Sequence, residues 1–327
     1  MKNSFGIILI VLLTGSIIGG MVWYKNQGKV KDIPGSFEYE DLTKWREVDP
    51  KLVTFEEKDP IKTGFSSLHA IHIDSKGNVY AAGNSGIKQF DPSGVLANEW
   101  KTESSARCVA VDNNGTLYVG LMTKILKFEG NKVAASWGNK GSGQGEFMHI
   151  TAVALAEGNL FVADAGNRCV HRYALTGDFI NDIGRKDTEE GEPGLIIRNP
   201  HLDILPASEG RIYIVNPGIH KIVTYTFNGD KIESWGKYGL EIEGFSGCCN
   251  PTNIAGTSNG SFITSEKNIP RIKIYDSKGV FQEVVAPPSA FDEKCAGMDL
   301  AVDKDGRVYA ADPVQKTIRI FVRKKER

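Results

Sequence analysis

The stretch from Ala70 to Tyr80 reads AIHIDSKGNVY and joins an apolar run, a polar turn ending in glycine, and an aromatic residue three positions after that glycine. Five further copies of this unit follow along the chain, beginning at Cys108, Ala152, Leu202, Asn253 and Asp299. The turn glycines are spaced 38 to 52 residues apart: Gly77, Gly115, Gly158, Gly210, Gly260 and Gly306. A repeat of this length indicates a solenoid, a propeller or an array of similar units.

Each unit continues with a third and a fourth apolar segment. The third ends in an aromatic residue, as in IKQF to Phe90 and IKIY to Tyr275, and a polar turn separates it from the fourth. Short segments between Gly-, Asp- and Asn-rich turns are typical of β-strands. One four-stranded sheet cannot bury both of its faces, whereas six arranged radially cover one another. The sequence therefore predicts an all-β fold, a six-bladed β-propeller of four-stranded antiparallel blades.

The last unit has three strands, the third of which ends at Arg323, and lacks a fourth. The segment 51–57, KLVTFEE, precedes the first unit and alternates apolar and polar residues without a partner of its own. We expect the strand 51–57 to join the last blade as its outer strand. This pairing would close a propeller that occupies residues 51–327, and residues 25–50 would form a stalk.

The segment from Phe5 to Tyr24, FGIILIVLLTGSIIGGMVWY, contains no charged residue. Twenty helical residues span about 30 Å, the thickness of the hydrocarbon core of a bilayer. Residues 1–24 therefore read as a single-pass membrane anchor, and the alternative is a cleaved signal sequence. The lysines that follow the segment favour a cytoplasmic propeller by the positive-inside rule, whereas a short amino-terminal leader favours export. We expect an uncleaved signal-anchor and an extracytoplasmic propeller.

The overall charge and the missing motifs exclude several function classes. The chain carries 39 basic and 40 acidic residues, a formal net charge of −1. Binding to nucleic acid relies on an excess of positive charge, so we expect no general affinity for RNA or DNA. The sequence contains no phosphate-binding loop, no G-x-S-x-G nucleophile elbow and no H-E-x-x-H motif.

The linker SWGNKGSGQGEF from Ser136 to Phe147, followed by FVADAGNR from Phe161 to Arg168, resembles the NHL repeat. The resemblance extends over residues 65–325 and is strongest in the third unit. With its amino-terminal segment, the chain resembles a bacterial-type, membrane-anchored member of that family. It implies a β-propeller, commonly six-bladed. Members are interaction platforms, RNA-binding modules or enzymes such as peptidyl-amidoglycolate lyase, and the fold does not choose among them.

In a propeller the first residues of the innermost strands, and the loops before them, surround one mouth of the central channel. These positions are the candidate ligand-binding residues His69, Arg107, His149, His201, Asn253 and Asp299. Three histidines at one opening could hold zinc with an open fourth position, as the amidoglycolate lyase resemblance implies, and calcium or copper are further candidates. The alternative interpretation is that they are hydrogen-bonded rim residues.

The five cysteines are too few for a disulfide scaffold and odd in number. Cys248 and Cys249 lie in the loop FSGCCNP, and Cys295 lies in the matching loop of the next blade. A disulfide from Cys295 to Cys248 or Cys249, a soft-metal site, or small buried residues without chemistry are the open interpretations. We expect Cys108 and Cys169, which fall within strands, in the core.

A complete repeat without an assembled catalytic motif favours a membrane-tethered binding or scaffold module. Its ring would present one face of loops to a protein, a peptide or a small ligand. The alternatives are a metal-dependent lyase or hydrolase at the channel mouth and a cysteine-based redox accessory.

Overall fold

Six four-stranded antiparallel sheets follow one another in the computed structural model, which describes residues 42–185 and 194–325. The sheets lie in the unit Thr43–Arg327, the second of two units into which the chain divides. The structure therefore confirms the predicted all-β fold, a six-bladed propeller of four-stranded antiparallel blades.

The predicted anchor Phe5–Tyr24 lies outside the described residues, as do residues 25–41 of the predicted stalk. Within the part of the chain that the structure describes, no helix has the length and apolarity to cross a bilayer.

Each blade runs from an innermost strand at the central channel to an outer strand at the rim. Blade one contains β2 (Leu68–Ile73), β3 (Val79–Gly83), β4 (Gly86–Phe90) and β5 (Leu96–Lys101). Blade two contains β6 (Cys108–Val111), β7 (Leu117–Gly120), β8 (Ile125–Glu129) and β9 (Lys132–Trp137). Blade three contains β12 (Ile150–Ala156), β13 (Asn159–Asp164), β14 (Cys169–Ala174) and β15 (Phe179–Ile183).

The second half of the ring repeats this order. Blade four contains β16 (Ile204–Ala207), β17 (Arg211–Asn216), β18 (Lys221–Thr226) and β19 (Lys231–Trp235). Blade five contains β20 (Asn253–Gly256), β21 (Phe262–Ser265), β22 (Ile272–Tyr275) and β23 (Phe281–Ala286). Blade six contains β24 (Leu300–Val302), β25 (Val308–Asp312), β26 (Thr317–Arg323) and β1 (Phe55–Lys62). A parallel pair, β10 (Asn139–Lys140) and β11 (Glu146–Phe147), and the 3₁₀ turns Leu42–Arg46, Pro50–Leu52, Pro217–Ile219 and Pro288–Ala290 complete the described elements.

The second strand of most blades is buried along its whole length, because neighbouring blades cover both of its faces. Every residue of β3, β7, β13, β21 and β25 is buried, whereas outer strand β9 is largely exposed. Aromatic residues fill the space between blades, and Tyr118 and Tyr173 are each 1 % exposed. The Trp100 indole donates a hydrogen bond of 2.8 Å to the Gly130 carbonyl of the next blade.

The ring is closed by β1, which pairs antiparallel with β26 from Phe55 opposite Arg323 to Lys62 opposite Thr317. This outer strand begins four residues later than the predicted strand 51–57. Residues 50–52 cannot extend, because they form a 3₁₀ turn that is capped by a 2.9 Å hydrogen bond from the Lys51 amide to the Asp49 carboxylate.

Polar residues after the second strands hold the loops that lead into the innermost strands. The Asn84 side-chain oxygen accepts hydrogen bonds from the amides of Ser66 at 2.9 Å and Ser67 at 3.2 Å. In blade three the Asp164 carboxylate accepts the amide of His149 at 2.9 Å. In blades one and three, these bonds hold the backbone at the channel mouth.

Candidate functional site

Five of the six predicted ligand-binding residues line one cavity of about 200 Å³ at the mouth of the central channel. They are His69, Arg107, His149, His201 and Asn253. Each lies at or just before the start of an innermost strand, so five blades contribute one residue each. We call the opening that these five residues surround the mouth, and the five residues its members.

The sixth predicted residue, Asp299, lies deeper. It lines the cavity of about 320 Å³ inside the channel, together with Asp203. The Asp299 carboxylate accepts the amide of Ile71 at 2.7 Å, and the Asp203 carboxylate accepts the amide of Ile254 at 2.8 Å. Each carboxylate therefore links its own blade to the innermost strand of the next blade.

Burial raises the pKa of both channel carboxyls, Asp203 and Asp299. It raises the pKa of Asp203 to about 6. Burial, together with the charge of Asp203, raises the pKa of Asp299 well above its usual range. Two interacting carboxyls titrate as a pair, and a pair that keeps one proton places less negative charge beneath the mouth.

The three mouth histidines are neutral at neutral pH. Burial, and then the charge of Arg107, lowers the pKa of His69 and of His149. Burial, and then the charge of Lys267, lowers the pKa of His201 to about 4. A neutral imidazole offers one N–H donor and one acceptor nitrogen, so the mouth can donate hydrogen bonds without adding charge.

Arg107 supplies the positive charge of the mouth. Arg107 is half-buried, and its side chain has no hydrogen-bond or ion-pair partner among residues 42–185 and 194–325. A groove of about 260 Å³ continues from His149 and is lined by Arg168 and Arg198, whose side chains likewise have no such partner in the described ranges. Unpaired guanidiniums around a concave site attract anions.

The histidines of the mouth do not belong to the group of ligand atoms that lies closest together in the described residues. In the described part of the chain, the group whose ligand atoms all lie within 4.8 Å of one another is Cys169, His171 and Asp182, in blade three. Zinc needs ligand atoms about 2 Å from the ion and therefore close to one another. Zinc, calcium or copper at the mouth therefore stays an alternative to hydrogen-bonded rim histidines.

The blade-three group is itself a hydrogen-bonded ion pair. His171 Nδ1 lies 2.6 Å from Asp182 Oδ1, which is the length of a strong hydrogen bond, and His171 Nε2 lies 3.6 Å from Asp164 Oδ2. Burial alone would lower the pKa of His171, but the hydrogen bonds to Asp164 and Asp182 raise it to about 11. A metal ion at this group would have to displace the proton of His171.

Cys248 and Cys249 lie next to each other, and Cys295 lies apart from them. Cys248 Sγ lies 3.0 Å from Cys249 Sγ, whereas Cys295 is buried in blade six with its sulfur 3.9 Å from Asp312 Oδ1. All five cysteines are free thiols. Cys108 and Cys169 are buried within strands, as expected.

No protein-family model and no curated protein sequence matches this chain. Solved structures do match it. A catalytically inactive histidine-to-alanine variant of virginiamycin B lyase from Staphylococcus aureus, with quinupristin, is 16% identical, with a TM-score of 0.54 over 78% of this chain and 80% of that one. A Bacteroides thetaiotaomicron protein of unknown function is 15% identical, with a TM-score of 0.62 over 82% and 72%. A WD40 β-propeller domain is 11% identical, with a TM-score of 0.54 over 83% and 98%. At these identities the likeness shows the fold alone.

Proposed function

We propose that this chain is a membrane-tethered, extracytoplasmic binding module that takes the oxyanion of a small ligand or peptide, a carboxylate or a phosphate, at the mouth of its channel. The observation that carries this proposal is the Arg107 guanidinium, half-buried among three neutral imidazoles and without a protein partner in the described residues.

The chemistry of the mouth suits an oxyanion better than a cation or a neutral ligand. A guanidinium presents a planar fork of N–H donors that matches two oxygens of a carboxylate or phosphate. The N–H groups of His69, His149 and His201 can donate to the remaining oxygens. Arg168 and Arg198, in the adjoining groove, add a positive field that draws an anion toward His149.

The tether is supported by the sequence. The apolar segment Phe5–Tyr24 has the length of a membrane span, and residues 25–50 would separate it from the propeller. The NHL resemblance of the blades supports an interaction module. A rigid ring held at a membrane by one segment presents its mouth to ligands outside the cytoplasm.

Calorimetric titration tests the proposal with inorganic phosphate in one arm and acetate in the other. Hydrogen bonds to charged groups contribute about 1.5–3 kcal/mol, so Arg107→Gln should weaken binding of the preferred anion roughly ten- to hundredfold. The matched control is Arg211→Gln, because Arg211 begins β17 at the opposite end of its blade and pairs with Glu209 there. Equal affinities in the two variants, or no binding of either anion to the unaltered protein, would contradict the proposal.

A second candidate function is a lyase that uses a mouth histidine as its base. The neutral imidazoles of His149 and His201 can accept a proton, and a lyase of the same fold is inactive as a histidine-to-alanine variant. Incubation with quinupristin, followed by mass spectrometry, tests this candidate. Cleavage that is lost in His149→Ala or His201→Ala, but kept in His220→Ala, would support it, and an intact substrate with the unaltered protein would eliminate it for this substrate.

A further inference from the structure

Two adjacent cysteines, Cys248 and Cys249, lie in the loop that leads into blade five. The sulfurs of Cys248 and Cys249 are 3.0 Å apart, closer than two sulfurs that merely pack together. Cys249 has a φ of +65°, a left-handed conformation that a side chain rarely adopts. Such outliers persist only where surrounding structure holds them, and they concentrate at functional sites.

Hydrogen bonds hold this loop from both sides. The buried carboxylate of Glu266 accepts the amide of Ser246 at 2.8 Å and its hydroxyl at 3.0 Å. The Asn250 side chain exchanges two hydrogen bonds with the backbone of Lys267, at 3.0 Å and 2.9 Å. The two sulfurs are therefore held together before any reaction, which lowers the entropic cost of joining them.

Glu266 is in turn fixed by two buried cations. Its carboxylate lies 2.8 Å from Arg271 Nε and 2.7 Å from Lys273 Nζ, and the three side chains are at most 1 % exposed. Lys273 also donates to the carbonyl of Gly244, at 2.6 Å, which anchors the start of the same loop. The cysteine loop thus rests on a fully buried ionic cluster.

The two thiols differ in access. Cys248 is exposed, whereas Cys249 is 3 % exposed. Burial, and then the neighbouring Cys248 thiol, raises the pKa of Cys249 to about 11. Attack on an incoming disulfide requires an accessible thiolate, so Cys248 is the attacking thiol and Cys249 the resolving one.

We propose that Cys248 and Cys249 form a thiol–disulfide exchange site that accepts small disulfides such as glutathione disulfide and closes as a disulfide between the adjacent cysteines. The Cys248 thiolate attacks one sulfur of glutathione disulfide, the glutathione S–S bond breaks, and one glutathione leaves as a thiolate that takes up a proton. Cys249 then loses its proton and attacks the Cys248 sulfur, and the second glutathione leaves. Two cysteine thiols are oxidised, and one disulfide is reduced to two thiols.

Peptide mass spectrometry tests this site in the folded protein. After incubation with glutathione disulfide and trapping of free thiols with N-ethylmaleimide, trypsin releases the peptide Tyr238–Lys267, which contains Cys248 and Cys249 and no other cysteine. We expect this peptide to appear two hydrogens lighter, without maleimide and without glutathione. The matched control Cys295→Ser should behave identically, and Cys248→Ser should lose the product while keeping the circular dichroism of the unaltered protein.

Three results would overturn the proposal. The first is a peptide that carries two maleimides, which means that no exchange occurs. The second is a peptide that keeps one glutathione, which means that Cys249 does not resolve the mixed disulfide. The third is a disulfide between this peptide and the peptide Cys295–Lys304, which means that Cys295, and not the adjacent cysteine, is the disulfide partner.

Discussion

Gly297 shows how a single position supports the mouth. Its φ is +69°, and a Cβ atom built on it would lie 2.4 Å from Cε1 and 2.8 Å from Nδ1 of His201. The backbone before blade six therefore runs directly against the edge of an imidazole that lines the mouth. Neither alanine nor any larger residue fits there unless His201 moves.

Gly297→Ala should consequently disturb the mouth as well as the backbone. The left-handed φ alone costs roughly 1–3 kcal/mol with a side chain. Gly306→Ala is the matched control, because Gly306 has a φ of +77° and nothing within 4 Å of the added carbon. Urea denaturation should show a larger loss for Gly297→Ala, and phosphate binding should weaken in that variant only. Equal effects in both variants would contradict the close approach to His201.

Most of the mouth could be predicted at the residue scale, because its members lie at or just before the start of repeated innermost strands. Asp203 was missed, although the sequence contains its signal: it stands ten residues before Tyr213, as Asp299 stands ten before Tyr309. The fourth unit, when it is read from Leu202, is offset by one residue from this alignment. The depth of Asp299 depends on one residue of strand register, which the spacing of the repeats does not determine.

At the scale of elements, the pairing of β14 with β15 creates a charged centre inside blade three. His171 lies directly opposite Asp182 in this strand pair, and a register shift follows at Arg172 and Tyr173. The sequence shows the histidine and the acid, but the bulge decides which residues face each other. The ion pair therefore could not be predicted before the register was known.

His171→Gln should destabilise the protein, because it leaves Asp164 and Asp182 without their buried cation. Breaking a buried pair costs about 3–5 kcal/mol. The pKa of His171 is raised to about 11, above its unfolded value of 6.5, so its stabilisation is complete below pH 6.5 and is lost as the pH rises toward 11. Urea denaturation should show that the gap between wild type and His171→Gln narrows between pH 6 and pH 9.

His72→Gln is the control for this pH dependence. The pKa of His72 is lowered to about 4 by burial, so its imidazole is neutral in the folded protein over the same range. Because the unfolded value is 6.5, the gap between wild type and this variant should widen slightly, rather than narrow, between pH 6 and pH 9. A constant gap for His171→Gln would mean that its imidazole is not charged at pH 6.

At the scale of the whole molecule, six blades form a closed ring because β1, from the start of the propeller, is the outer strand of blade six. The repeats predicted the number of blades and the need for this closure. They did not predict its bounds, since Asp49 and Pro50 turn the chain where the alternating pattern had suggested a strand. The Arg319 guanidinium, 4 % exposed, pairs with Glu57 across the closing strands.

Removing the closing strand should damage the whole ring. A truncation that lacks residues 1–62 loses Phe55 and Ile61, which are 5 % and 8 % exposed, and leaves the edge of β26 unpaired. Each buried side chain contributes about 1.5–3 kcal/mol, so the melting temperature should fall by roughly 10 °C or more. A truncation that lacks residues 1–41 keeps β1 and should melt close to the full chain. Equal melting temperatures for the two truncations would contradict closure by β1.

The central claim is that the mouth binds an oxyanion through Arg107 and neutral imidazoles. Nitrogen NMR of the histidine side chains, during a titration with inorganic phosphate, tests it most directly. We expect neutral imidazole signals for His69, His149 and His201 at pH 7. As phosphate is added, the chemical shifts of these three should change together and saturate, whereas those of His72 and His171 should stay constant. Arg107→Gln should abolish the change. Movement of all imidazoles alike, or the same titration in Arg107→Gln, would contradict it.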